Sequence, residues 1–389
     1  MISRIIKKLL FGPEQITPSN SKCQVLGAFN PGAVSYGNAI YLLVRVAESI
    51  KTDSTDYVYL PKWDCRNGYC YDRVPKTDVE LIYRGSVVRF KHNGLVRLTH
   101  ISHFRVAVIE EDGETIRILP EKPSITPQEK YEEYGIEDPR ITRIGDRFYI
   151  TYVAVSEHGI ATALMSTTDF VSFERHGLIF HPENKDVVLF PEKINGNYFA
   201  IHRARGSAVF GKPELWLAHS PDLLHWGGHS SLMQVYSDWS CTTDEHGEPV
   251  CRMVPLMGRR SSDWDRLKVG AGVPPIKTEE GWLEIYHGVY SPSEEAPMGV
   301  YCAGAALFDL EDPSRLIARA PEPIISPTED YETLKGGKKG YLANVVFPTG
   351  IIRQGDDLLI YCGAADTSTV LVKISLSEVL EAIKKGCNR

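Results

Sequence analysis

One local pattern recurs five times along this chain: a turn containing Gly or Asn, then a short run of aromatic and β-branched residues ending in polar groups. The copies are Gly37–Arg45, Gly145–Tyr152, Gly196–Arg203, Gly281–Gly288 and Gly355–Gly363. Such runs suit a pleated, half-buried surface, and the turn residues punctuate them, so each copy reads as a turn followed by a strand. Radial repetition is the simplest reading of a unit spread over most of the chain. The spacing between copies is irregular, which argues against a solenoid of fixed period. A propeller accommodates it, because loops between strands and blades vary in length. The expected fold is all-β, a five-bladed β-propeller with one blade per copy. A pair of β-sandwiches is the structural alternative, and the recurrence of the unit counts against it.

Helical spacing is confined to the ends. Leu376, Val379, Leu380 and Ile383 repeat at helical intervals within Ser375–Lys385, and Met1–Leu10 is a short, basic, amphipathic segment. Both are expected to be short helices flanking a single catalytic domain over residues 1–389. Residues 1–24 then form an N-terminal extension and 375–389 a helix and tail. The apolar run of the first ten residues is too broken for a secretory signal and too short to span a membrane.

The formal net charge of −7 argues against a nucleic-acid partner, which usually meets a basic surface, while leaving room for a local basic pocket. None of the eight cysteines falls in a CxxC pair or a Cys/His metal array, and a chain this long needs no disulfide staples. A cytoplasmic setting is expected. Cys65 with Cys70, and Cys241 with Cys251, are close enough in sequence to pair in loops. No metal site is expected, since His100, His103, His225 and His229 lack ligand spacing.

In a propeller, equivalent strands line a central axis and the residues at their exits meet at one mouth. Arg45, Arg203, His287 and Asp366 hold that position in the repeats, and Tyr134–Thr142 adds Glu137, Asp138 and Arg140 just before the second copy. A lone Arg or His at a strand end is ordinarily a structural partner, and Asp-Pro-Arg ordinarily starts a turn. Their joint position in one repeat is what points to a site.

The run Gly135-Ile-Glu-Asp-Pro-Arg-Ile-Thr142 resembles the Asp-Pro-Arg signature of glycoside hydrolase family 130. Glu183–Gly196 followed by His202-Arg203, Lys268–Trp282 followed by Tyr286–Val289, and Gly363–Thr367 are similar to the same family in the same order. So are Gly27–Gly32 and Leu43–Glu48, and the stretch Gly135–Gly196 looks most like the β-1,2-mannobiose phosphorylase branch. The resemblance implies a five-bladed propeller that cleaves β-mannosides with inversion. By position it implies Asp138 as general acid, with Asn30, Arg45 and Asp366 holding the mannosyl unit. Lys185, Arg203, Lys268 and His287 match phosphate-binding positions. Inorganic phosphate is the implied co-substrate beside a β-mannoside oligosaccharide, with no further cofactor, and a homo-oligomer is compatible with the family.

An inverting hydrolase needs a second carboxyl group to activate water. A phosphorylase needs a cationic pocket that holds its anionic nucleophile in line. The four basic positions therefore favour phosphorolysis. An inverting β-1,2-mannosidase is the alternative, with Glu137, Glu192 or Glu214 as base, and a non-catalytic sugar-binding propeller is a third reading. Two departures from the family concern the acceptor side. Gly340-Tyr-Leu-Ala-Asn344 replaces the usual Gly-Asp-Val-Pro-Asn, and Ala204 replaces a Pro. Tyr236, Trp239 and Trp264, in or beside a long stretch from His229 to Asp263, are candidates to stack on sugar rings.

Overall fold

The computed structural model describes residues 2, 5–204, 213–231, 240–243, 249–252, 264–292 and 299–385, without the side chains of 229–231, 240–243 and 249–252. These residues are overwhelmingly β. The two α-helices among them are Asp330–Thr333 and Leu376–Lys384.

Five antiparallel sheets of four or five strands follow one another along the chain. The first is built on Cys23–Tyr36 and Ala39–Ile50, and the second on Ile136–Ile144 and Arg147–Ser156. The third begins with Asn184–Leu189 and Tyr198–Ala204, and the fourth with Lys268–Gly270 and Gly281–Tyr290. Val346–Gln354 and Asp357–Ala364 begin the fifth. Every one of the five sequence repeats thus lies in a different sheet, second from one end of its hydrogen-bonded order, with Ile276–Thr278 pairing onto the fourth sheet's repeat strand from off that order. The first strand of each sheet pairs with its repeat strand, which puts the two at a fixed register and carries any residue of one to a known place beside the other.

Five apolar clusters hold the sheets together. Leu43 and Phe104 of the first sheet pack with Ile141 and Ile150 of the second, and Leu164 of the second packs with Leu189 and Ala200 of the third. Val188 and Ile201 of the third meet Trp282 and Phe308 of the fourth. Leu283 and Ile285 of the fourth meet Leu358 and Ile360 of the fifth. Leu359 and Leu371 of the fifth then pack with Leu42 and Val44 of the first.

At the C-terminus the expected helix forms over Leu376–Lys384, with Ser375 as its N-cap accepting from the Glu378 amide at 3.2 Å. Its spaced apolar residues Leu376, Val379 and Ile383 are buried. The N-terminal expectation is corrected: Ile6–Phe11 is a strand, paired antiparallel with Ser368–Ser375 as the outer strand of the fifth sheet. The unpaired edge offers a full ladder of backbone partners to a segment rich in Ile and Leu, and a ten-residue helix alone is marginal. Lys7 fixes the register, its Nζ lying 2.7 Å from Oε2 of the fully buried Glu332.

Between the second and third strands of the first sheet the chain makes a long excursion. It forms a two-stranded sheet (Tyr57–Asp64, Gly68–Pro75) and a three-stranded one (Val79–Ile82, Val87–Phe90, Val96–Leu98) around a small core of Val58, Leu60, Val79 and Val88. Cys65 and Cys70, candidates for pairing in sequence, both carry free thiols. The Cys241 and Cys251 side chains lie outside the described residues.

Candidate active site

Asn30, Asp138 and Asp186 occupy one structural position in three successive sheets. In each first strand the pairing register slips, between Phe29 and Gly32, between Glu137 and Arg140, and between Lys185 and Val188. At each slip the Asn or Asp takes left-handed backbone angles, with φ of 49°, 49° and 54°. A bulge re-aims a side chain out of the alternation of its strand, and Asn and Asp tolerate the left-handed region better than other side chains. All three side chains are buried.

The first two of these residues meet. Oδ1 of Asp138 accepts from Asn30 Nδ2 and from Arg45 Nη1, both at 2.9 Å. Arg45 is itself placed by the second strand of the first sheet, where it pairs with Phe29, and its guanidinium lies 4.7 Å over that ring. Its Nη2 donates to Glu137 Oε1 at 2.6 Å and its Nε to Ser102 Oγ at 3.1 Å. Burial raises the Glu137 carboxyl, but Arg45 and His100 outweigh it and hold the group down to about 2.

Asp186 is the centre of a second cluster. Its Oδ2 accepts from Arg203 Nε at 2.7 Å and stands 3.7 Å from His287 Nε2, while Oδ1 is 3.7 Å from Arg140 Nη2. Burial opposes ionisation, yet Arg203, His287, Lys185 and Arg140 together hold this carboxyl far below the usual range. Lys185 joins the cluster because it pairs with Arg203 across the third sheet. Lys268 Nζ donates to Tyr301 OH at 2.6 Å. Burial, then the charges of Arg203 and Lys185, push the Lys268 ammonium down to about 7.

His287 is the most deeply buried of the four basic positions. Burial pushes its imidazole well below the ordinary value despite the neighbouring Asp186. Nδ1 donates to the Ala271 carbonyl at 3.2 Å, which leaves Nε2 facing Asp186 without a hydrogen bond. Gly270 makes room for the ring, since a Cβ there would lie 2.3 Å from His287 Cε1.

Asp366 follows the second strand of the fifth sheet, in a turn where Ala365 and Asp366 are both left-handed, at φ of 52° and 50°. Burial raises its carboxyl to about 6, Asp138 adds to the rise, and Arg45, Lys268 and Lys185 oppose it. Asp366 therefore feels both clusters. All eight residues singled out in the sequence lie in these two clusters or, for Asp366, between them.

Two residues, Asp186 and Tyr301, were missed, and Arg140, placed at the mouth by its segment, was given no role. Asp186 was legible as the third Asx at the bulge position, a signal visible only when the first strands are superposed as well as the second. Arg140 is fully buried, donating from Nη1 to the Asp138 carbonyl at 2.7 Å and from Nε to the Gly272 carbonyl at 3.1 Å. Tyr301 carried no sequence signal; it lies 6.2 Å from His287, ring stacked on ring, and receives Lys268. Trp264 stacks on Tyr286 at 5.7 Å and donates to the Pro321 carbonyl, which makes it a packing residue. Tyr236 and Trp239 lie outside the described residues.

Residues 80–385 match the family model of glycoside hydrolase family 130, described as β-1,4-mannooligosaccharide phosphorylase. The chain belongs to glycoside hydrolase family 130. It is 37% identical to the β-1,2-mannobiose phosphorylase of Listeria innocua over 98% of both chains. With the 1,2-β-oligomannan phosphorylase of Thermoanaerobacter sp. (strain X514) it shares 32% identity over 72% of this chain and 81% of that one. The solved structure of the Listeria innocua enzyme in complex with β-1,2-mannobiose superposes with a TM-score of 0.83, at 36% identity, covering 98% of this chain and 99% of that chain. The chain is thus a member of a family of glycoside phosphorylases. No helix among the described residues is long and apolar enough to cross a membrane.

Proposed function

We propose that this protein phosphorolyses β-1,2-linked manno-oligosaccharides with inversion, releasing α-D-mannose 1-phosphate and a sugar shortened by one unit. The observation that carries this reading is the surplus of positive charge beside Asp138. Arg140, Lys185, Arg203 and Lys268 gather round one carboxylate, Asp186, and that crowding helps to loosen the proton on Lys268. An anion bound there relieves the repulsion. The phosphorylases at 37% and 32% identity support the linkage.

In this reading Asp366, Asn30 and Arg45 hold the mannosyl unit, and Asp138 supplies the proton to the departing oxygen. Its Oδ1 is engaged by Asn30 and Arg45, so Oδ2 is the oxygen presented to the sugar. Lys185, Arg203, Lys268 and His287 grip phosphate on the opposite face. Asp186 engages Arg203 through Nε, which leaves the guanidinium nitrogens at its tip for bidentate contact with the anion. A phosphate oxygen then attacks C1 as the C1–O bond to the leaving sugar breaks.

A water-using β-mannosidase is less well supported. Glu137, the carboxylate nearest Asp138 in sequence, is held down to about 2 and pinned to Arg45, which makes it a poor base. Glu192 is half exposed and paired with Lys277.

The same reading extends to the architecture. We take the five sheets to be the blades of a propeller, supported by apolar clusters that join each sheet to the next and the fifth to the first. Incubation with β-1,2-mannobiose with and without phosphate tests the reaction. Cleavage should require phosphate, and equal release of mannose in its absence would refute phosphorolysis.

A further inference from the structure

A cavity of about 480 Å³ opens from Arg45 and Asp366 and is walled on its far side by the excursion of the first sheet. That size falls in the range of about 300–1,000 Å³ usual for small-molecule sites. Tyr57, Tyr59 and Leu81 give the wall an apolar surface, and Thr52, Ser54 and Lys76 give it polar groups. Residues 52–76 of this wall precede the segment that matches the family model, 80–385.

The excursion is clasped in place. Arg84 Nη1 donates to the Tyr341 carbonyl at 2.9 Å, and the Tyr341 hydroxyl bonds Ser86 Oγ and the Tyr83 carbonyl. The Tyr341 amide in turn faces the Ala365 carbonyl at 3.1 Å and Thr367 Oγ1 at 2.9 Å, the two neighbours of Asp366. Tyr83 and Arg84 are both left-handed, at φ of 45° and 56°, a conformation that persists only where the surroundings hold it. Arg73 lies 4.4 Å over the Tyr57 ring and fixes its orientation.

We infer that this cavity receives the leaving sugar and the mannosyl units beyond it, so that the excursion and Tyr341 set acceptor and chain-length preference. The inference rests on the phosphorolysis proposed above, which gives Arg45 and Asp366 to the transferred unit. A cavity continuous with those two residues is where the rest of the substrate must lie. Pyranose rings present apolar C–H faces and hydroxyl edges, the same mixture as the wall. In the synthetic direction an acceptor hydroxyl bound there loses its proton to Asp138 as its oxygen takes C1 from the departing phosphate.

The test runs the wild type, Leu81→Ser and Tyr57→Ala in synthesis, with α-mannose 1-phosphate as donor and mannose or β-1,2-mannobiose as acceptor. Leu81 is 48% exposed, so its replacement spares the core. The acceptor KM should rise about threefold to tenfold, with the donor KM within about twofold. An unchanged acceptor KM in both variants, or an equal rise for donor and acceptor, would overturn the inference. If the wild type makes no product, phosphorolysis is what fails. Calorimetric titration of the same proteins with β-1,2-mannobiose then decides the site: weakened binding in the variants supports it and unchanged binding overturns it.

Discussion

Arg140 donates from Nη1 to the backbone carbonyl of Asp138 at 2.7 Å, and its other terminal nitrogen stands 3.7 Å from Asp186. One guanidinium therefore ties the residue proposed as acid to the cluster proposed to hold phosphate. Its Nε reaches the Gly272 carbonyl, so three sheets converge on a single buried side chain.

A lysine cannot reproduce that planar fork. Arg140→Lys should lower kcat for β-1,2-mannobiose phosphorolysis by about 10²-fold, the usual cost of misplacing reacting groups by about 1 Å. Steady-state kinetics with phosphate and sugar varied separately checks it. A variant with the wild-type kcat would mean that Arg140 positions nothing.

The pH dependence follows from Lys268, whose ammonium is pushed down to about 7. It is charged below that value and neutral above it, so kcat/KM for phosphate should fall as pH rises through about 7. Phosphate itself titrates nearby, and the comparison with Lys268→Arg removes that common contribution. The arginine variant stays charged and should lose the additional fall; identical profiles would remove Lys268 from the phosphate site.

Gly363→Ala addresses the acid's hydrogen-bond partner. A Cβ at 363 would lie 1.8 Å from Asn30 Oδ1, so Asn30 must move and loosen its bond to Asp138. The expected result is a fall in kcat/KM of about tenfold or more, alongside an overpacking cost of about 1–3 kcal/mol. Kinetics and a denaturant melt on the same sample separate the two effects.

Lys7→Ala tests the N-terminal strand. Lys7 is almost wholly buried against Glu332, and removing one partner of a buried pair costs about 3–5 kcal/mol. Denaturant unfolding should show a loss of that order, and a loss below about 1 kcal/mol would mean that the strand is held by its ladder alone.

The repeats were legible because each repeat strand carries its own turn and its own β-branched run, and these are local properties. The eight candidate residues that the fold gathers were picked out partly through resemblance and partly because strand ends recur at one position. Asp186 escaped because a bulge is a property of pairing between strands, and its flanks, Lys185 and Val187, announce nothing of it. Met1–Leu10 was misread for a related reason: its apolar spacing suits a helix, but the free edge of Ser368–Ser375 lies more than 350 residues away in sequence. The acceptor side was the least legible. Tyr341 was marked as a departure from the family, and only the fold brings it onto Tyr83, Arg84 and Ser86.

The central claim is that phosphate, and not water, takes the mannosyl unit with inversion. A ³¹P and ¹H NMR time course of the purified protein with β-1,2-mannobiose and inorganic phosphate reads this directly. The account predicts α-mannose 1-phosphate accumulating in step with mannose as phosphate is consumed. Mannose appearing while the phosphate signal stays constant, or a β-configured phosphate, would contradict it.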